Sequence, residues 1–203
     1  CMELNTYPLV CTRGVVLYPN QEIVIDVGRD TSVHAVENAQ DNYDKKICLF
    51  SQKELEQENP ATEDIYSVGT LCEIRHIRRF DNFLRVKFRG IKRVKLNKWI
   101  NGSLSDLVEV EILESEKQDA VEEEALIRMI ADELDRMQGQ DRFVTKEIVM
   151  EISRGMGGEF LSDKAVQGLP LDIERKQQYL ETLGVNDRLM MLLQDMAKEK
   201  KMS

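Results

Sequence analysis

Residues 68–96 constrain the fold more than any other stretch of the chain. At their centre, Leu84-Arg85-Val86-Lys87-Phe88-Arg89 alternates apolar and cationic side chains without a break. A period of two is the mark of a strand with one buried face and one wet face. Ahead of it, Leu71-Cys72-Glu73-Ile74-Arg75-His76-Ile77-Arg78-Arg79 is a second β-rich run, and Asp81-Asn82 between the two tolerates the backbone of a hairpin turn. Gly90 interrupts the alternation before Val94 and Leu96 resume it, so the strand is expected to bulge or bend at the glycine. The pattern predicts a three-stranded antiparallel core with a strongly basic outer face.

Charge is divided along the chain. Residues 66–99 carry ten cations, Arg93 among them, against Glu73 and Asp81, a local charge of +8, whereas residues 106–137 carry −9, within a total of −9. A basic sheet face followed by an acidic strand and helix predicts internal complementarity as readily as an external ligand. Across 203 residues, 42% are hydrophobic, sufficient for a core in one large domain or two small lobes. No apolar run is long enough to cross a bilayer, and the amino terminus lacks the layout of a signal peptide. A cytoplasmic protein without membrane association is expected. Cys1, Cys11, Cys48 and Cys72 show no C-x-x-C spacing, and the last three sit in or beside apolar segments, as buried reduced thiols do. Cys1 precedes Met2, which suggests an added residue.

Residues 9–27 read as two strands around a Tyr18-Pro19-Asn20 turn. Asp30 or Thr31 can cap a following helix that has Val33, Val36 and Ala39 along one side. Ile47-Cys48-Leu49-Phe50 is a short, central strand; residues 51–64, with Pro60, form a surface loop; residues 107–113 close the sheet with Val108, Val110 and Ile112 pointing inward. Near residues 115–119 the period changes to helical, and no strand is predicted afterwards. Leu126, Met129, Ile130, Leu134 and Met137 share one helix face. Thr145 can cap a helix bearing Ile148, Val149 and Ile152 that ends at Gly155, Gly157 and Gly158. Further helices are predicted over 160–166, 172–183 and 186–200. The fold class is therefore α+β: a β-rich lobe with one helix over residues 1–116, then an α-helical bundle over 117–203.

No catalytic engine is legible. There is no phosphate-cradling G-x-x-x-x-G-K, and Gly155-Met156-Gly157-Gly158 follows a helix and lacks the lysine. His34 and His76 lie on different elements without ligands at metal spacing. Neither Ser51 with Lys53 nor Ser162 with Lys164 stands in a nucleophile elbow or beside a base. A non-enzymatic chain without metal or cofactor is expected.

Several segments resemble the amino-terminal, substrate-recognition domain of the ATP-dependent Lon protease family. They are Pro8, Arg13-Gly14-Val15-Val16-Leu17-Tyr18-Pro19, Val27-Gly28-Arg29, Val68-Gly69-Thr70, the basic hairpin, Gly90-Ile91-Lys92-Arg93, Lys176-Gln177 with Leu180-Glu181, and Asp187-Arg188-Leu189 with Leu192-Leu193. The chain departs from the family pattern at Val10-Cys11-Thr12-Arg13, at the Asp81-Asn82-Phe83 turn and at Arg89. The resemblance implies a β-rich pseudobarrel like the RNA-binding domains associated with pseudouridine synthases, followed by a helical bundle. It also implies recognition of unfolded or degron-bearing proteins, ATPase and serine protease modules in the parent chain, and a hexameric parent. A recognition module needs exposed apolar patches flanked by charge. Tyr18, Pro19, Phe80 and Phe83 at turns are candidates for the patch, and Arg29 and Asp30 for polar contacts. The alternative is a stand-alone module that binds RNA or another protein through its basic face, with Phe80 and Phe83 stacking bases. The overall acidity, pI near 4.9, weighs against nucleic acid.

Overall fold

A computed structural model describes residues 4–137 and 142–202; Cys1 lies outside them. The architecture is mixed α+β. Six strands come first: β1 (Leu4–Thr12), β2 (Glu22–Val27), β3 (Lys46–Ser51), β4 (Val68–Arg79), β5 (Leu84–Ile100) and β6 (Leu107–Leu113), with helix α1 (Asp30–Asn42) between β2 and β3. Helices α2 (Ala120–Arg136), α3 (Arg142–Ser153), α4 (Gly158–Gln167), α5 (Ile173–Glu181) and α6 (Val185–Met202) follow. The chain forms two compact units. One runs up to Glu114 and takes in Leu171–Leu180; the other comprises Ser115–Pro170 and the chain from Glu181 onward.

In the first unit, β3 pairs in parallel with β1, while β1–β6, β3–β4, β4–β5, β2–β5 and β5–β6 are antiparallel. The pairing β5–β6 returns the sheet on itself through β4, β3 and β1, so five strands make a closed ring and β2 is an outer flap. Closure removes the open edges that a flat sheet would present. β5 makes it possible by changing neighbours: Leu84 to Arg89 pair with β2, and Arg93 to Ile100 pair with β6. Where neither reaches, the backbone of the preceding turn takes over. Asn20 N–H donates to the Gly90 carbonyl and Gly90 N–H donates to the Gln21 carbonyl, each at 2.9 Å. A bulge at Ile91 shifts the register between Leu71–Lys92 and Cys72–Gly90. The interruption predicted at Gly90 is present, and β5 continues through it as one strand.

Alternation places Leu84, Val86 and Phe88 inside, at 5%, 0% and 0% exposure, with Arg85 and Lys87 in solvent. These three pack with Val36 and Ala39 of α1, Ile47 and Leu49 of β3, and Ile74 of β4. Phe50, Leu71, Val94, Val108 and Val110 form a second cluster towards β6. Helix α1 starts without the predicted side-chain cap: Arg29 is its N-cap residue, and Asp30 and Thr31 fall inside the first turn.

Two further expectations are corrected. Residues 13–21 form an irregular crossing between β1 and β2, with a single bridge from Pro19 to Gly90. Arg93, counted among the basic outer face, is 1% exposed. Its Nε donates to the Leu180 carbonyl at 2.9 Å and its Nη2 to that of Tyr179 at 3.3 Å. These belong to the last turn of α5, whose carbonyls lack intrahelical donors and carry the negative end of the helix dipole. Tyr18 Oη donates to the Lys176 carbonyl at 2.7 Å, and Gln177 Nε2 donates to that of Val68 at 2.8 Å. Residues 171–180 are thereby fastened to the strands of their own unit.

In the second unit, Leu126, Ile130 and Leu134 of α2 form a buried stripe at helical spacing, and Leu161, Leu189 and Leu192 are fully buried. The Asp119 carboxylate caps α2 by accepting from Val121 and Glu122 N–H. Helix α3 begins at Arg142, so Thr145 lies within it and does not cap it. Arg188 is fully buried and donates to Ser162 Oγ, Ser115 Oγ and the Thr182 carbonyl. No strand follows β6 among the described residues, although Glu116 and Gly184 form an isolated bridge.

A Cβ at Gly90 would stand inside the contact distance of the Tyr18 carbonyl oxygen. Gly90→Ala is therefore expected to destabilise the chain by about 3 kcal/mol, because the crossing must move off β5. Tyr18→Phe, which removes the hydroxyl that donates to the Lys176 carbonyl, should cost about 1 kcal/mol. Urea denaturation of the two variants measures both, and equal stability of Gly90→Ala and the parent would contradict this packing.

Candidate functional site

The β4–β5 hairpin ends in a two-residue turn, Asp81-Asn82, closed by Phe80 N–H donating to the Phe83 carbonyl at 2.9 Å. The two flanking rings stack at 4.7 Å between centroids with 11° between planes, and both are half-buried. Arg78 lies 5.0 Å from the Phe80 centroid; Arg85 lies 5.1 Å from Phe80 and 5.6 Å from Phe83. Arg85 is fixed from the other side by Asp26 of β2, with Nε and Nη2 donating to the carboxylate at 2.8 and 3.1 Å. That bidentate bond holds the Asp26 carboxyl below the usual carboxylate range. The tip is thus a flat, apolar pair framed by guanidinium groups, the form of surface that takes aromatic and aliphatic side chains.

The tip adjoins the β2–α1 corner. A Cβ on Gly28 would meet the Asn82 carbonyl and Phe83 Cβ, both at 3.8 Å. Beyond Gly28, Arg29 Nη2 donates to the Cys11 carbonyl at 2.6 Å and Nη1 to that of Glu58 at 3.2 Å. Two hollows meet at Arg29. One, of about 380 Å³, lies between β1 and β2 over Val10, Val15, Ile25 and Val27; the other, of about 170 Å³, lies between Trp99, Pro60 and Asp106. Cys11, Arg29 and Ser32 line both.

Of the six residues singled out in the sequence, Arg29 lines both hollows, Phe83 meets Gly28 at the edge of the larger one with Phe80 stacked on it, and the exposed Asp30 follows Arg29 in the first turn of α1 without lining either hollow. Tyr18 and Pro19 line neither. Tyr18 is fully buried, with its hydroxyl on Lys176 and Arg93 5.9 Å from its ring, and Pro19 is buried against Gly90. Their place in an exposed patch is withdrawn, because the crossing over β5 packs both inward. Arg13 lines the larger hollow, and the half-exposed Leu55 packs over the neighbouring Gly14; neither was chosen from the sequence. The only signal for them was the Arg13-Gly14-Val15 segment.

The basic outer face is largely neutralised locally. Arg85 pairs with Asp26, Lys87 with Glu22, Arg79 with Glu37, Arg75 with Glu73 and Lys92 with Glu114. Lys95 and Lys98 sit opposite Glu111 and Glu109 across the β5–β6 ladder. Each exposed pair contributes little to stability, yet together they leave little of the +8 to attract phosphate. Among the described residues no group of His, Cys, Asp and Glu could hold a metal ion, and no helix is long and apolar enough to cross a membrane.

Residues 6–198 match the family described as the ATP-dependent protease La (LON) substrate-binding domain. The chain belongs to that family. It is 34% identical over 201 residues to the Lon protease of Syntrophomonas wolfei and 31% identical over 194 residues to that of Brevibacillus choshinensis, matches that cover 97% and 95% of this chain. It spans about a quarter of the length of these curated relatives (25% of each). The amino-terminal domain of a Mycobacterium avium complex Lon protease has the same fold, with a TM-score of 0.76 at 22% identity, covering 95% of this chain and 98% of that one. The Lon amino-terminal domain protein of Xanthomonas campestris gives 0.64 at 18% identity, covering 93% and 97%.

Cys11 forms part of the groove wall, and burial pushes its thiol up to about 11, against the opposing pull of Arg29. Cys48 and Cys72, fully enclosed, are raised further by burial. At pH 8, iodoacetamide should label all three more slowly than free cysteine, with Cys11 first. The folded protein holds the Cys11 proton more tightly than the unfolded chain, whose thiol ionises near about 8.5. This contribution to stability is complete below that pH and is lost as pH rises through about 11. Rapid labelling of Cys48 in the folded protein would contradict the burial.

Proposed function

We propose that the chain is the non-catalytic substrate-recognition and assembly module of a cytoplasmic, hexameric, ATP-dependent Lon-type serine protease. It binds unfolded or degron-bearing polypeptide and passes it to the ATPase and protease modules of the parent chain. The observation that carries the substrate surface is the stacked Phe80–Phe83 pair, half-buried at the tip of the hairpin, with Phe83 against Gly28 at the edge of the groove. An unfolded segment offers intermittent apolar side chains on an extended backbone. A flat aromatic pair with flanking charge holds such a segment weakly and reversibly, which suits a module that must release its cargo. Phe80, Phe83, Arg29 and Asp30 are the contact residues of this reading.

Labelled unstructured peptide should bind at roughly micromolar affinity or weaker. Phe83→Ala should weaken it about tenfold, as loss of a central aromatic anchor does, while moderate salt has little effect because apolar burial is not screened. A labelled single-stranded RNA serves as the second probe, because the alternative reading has the basic sheet face bind RNA. RNA binding would fall steeply with salt and be abolished by Arg85→Glu with Lys87→Glu. Fluorescence anisotropy at two salt concentrations decides between them. Tight, salt-sensitive RNA binding without a peptide signal would overturn the polypeptide reading.

A further inference from the structure

We propose that the hollow between β1 and β2 receives the carboxyl-terminal end of a bound polypeptide, its last side chain on the apolar floor and its terminal carboxylate between Arg13 and Arg29. This rests on the polypeptide-binding reading and assigns it a chemical class of ligand, a free chain end.

Four apolar residues, Val10, Val15, Ile25 and Val27, line the hollow, and its volume of about 380 Å³ is ample for one or two aliphatic side chains. Two guanidinium groups stand at its wall. Arg13 Nη2 donates to the Gln57 carbonyl at 3.1 Å and Arg29 Nη1 to the Glu58 carbonyl at 3.2 Å. Anchoring on consecutive carbonyls of one loop holds the like charges side by side. Burial, and after it the Arg13 charge, lowers the Arg29 pKa. No carboxylate forms an ion pair with either group among the described residues. Asp26, the acid lining this hollow, has its carboxylate taken by Arg85. Glu58 gives Arg29 its backbone carbonyl. The Glu58 charge acts on Arg29 without an ion pair, so two adjacent cations whose hydrogen bonds all go to carbonyls, beside an apolar hollow, are complementary to a carboxylate attached to an apolar group.

The backbone around the hollow accommodates an extended chain. β6 covers β1 only from Leu4 to Pro8, so the edge of Leu9 to Thr12 opposite β3 has no neighbouring strand, and β2 is paired only on its β5 side. The wall is firmly built. Gly14, at φ +70°, turns the chain back, and Thr12 Oγ1 and Ser51 Oγ both donate to the Val15 carbonyl, at 3.1 and 2.7 Å. An internal peptide segment offers Arg13 and Arg29 a carboxylate only where it carries Asp or Glu, whereas every free chain end offers one.

The test uses a labelled, twelve-residue Gly-Ser peptide with one central Phe and a terminal Leu, made with a free carboxylate and with a carboxamide. Anisotropy should show the acid binding about tenfold or more tighter than the amide, the size of a charge-assisted contact. Arg13→Gln, at an exposed position, should bring the acid down to the amide without shifting the melting temperature. Arg29→Gln should also bring the acid down to the amide, with a lower melting temperature, since Arg29 ties β1 to the 52–61 loop. Equal binding of acid and amide, with both weakened by Phe83→Ala, would overturn the chain-end site and leave the polypeptide reading standing. Binding of neither peptide would overturn both.

Discussion

The fold depends on one strand that must serve two neighbours. β5 is long enough to pair with β2 over its first half and with β6 over its second; the second pairing closes the ring and the first attaches β2 to it. The change-over leaves Gly90 without a ladder partner on that edge. Buried backbone groups cannot remain unpaired, and Asn20 and Gln21 supply the missing donor and acceptor. Tyr18 and Pro19, just ahead of them, approach closely enough to exclude any side chain at Gly90. The stretch from residue 13 to residue 21 is placed by that crossing. It drives Tyr18 inward, where its hydroxyl reaches α5, and it delivers β2 alongside the hairpin so that Asp26 can grip Arg85.

The candidate site follows from the same geometry. A free hairpin would let Phe80 and Phe83 move independently of the β2–α1 corner. With β2 laddered to β5 up to Val27 and Leu84, Gly28 is carried against Phe83, and the aromatic pair, the hollow and Arg29 become one surface. The charge pattern is explained by it as well: β2 contributes Glu22 and Asp26 to the cationic face, so much of the apparent basic patch is a set of cross-strand pairs.

Much of this was legible in the sequence because period and punctuation are local. The alternation over 84–89, the Asp81-Asn82 turn, the interruption at Gly90 and the helical stripe of Leu126, Ile130 and Leu134 all report their own surroundings. What was hidden depends on contacts distant along the chain. Tyr18-Pro19-Asn20 looks like a surface turn, and only the crossing over β5 buries it. Arg93 looks like one more cation on a wet face, until residues 171–180 cover it and present helix-end carbonyls to its guanidinium. Thr145 has the chemistry of a cap, but the helix begins at Arg142. Arg13 carried no signal as a site residue, because its proximity to Arg29 is created by the carbonyls of Gln57 and Glu58.

The central claim is that polypeptide binds along the surface from the Phe80–Phe83 pair to Arg29. Backbone amide NMR shifts, recorded while an unstructured peptide is titrated into the chain, test it most directly. Perturbations should concentrate at residues 10–15, 25–32 and 80–84, and saturate together with one dissociation constant. Shifts confined to the helices of the second unit, or to Arg75, Lys87 and Arg89 on the sheet face, would contradict it.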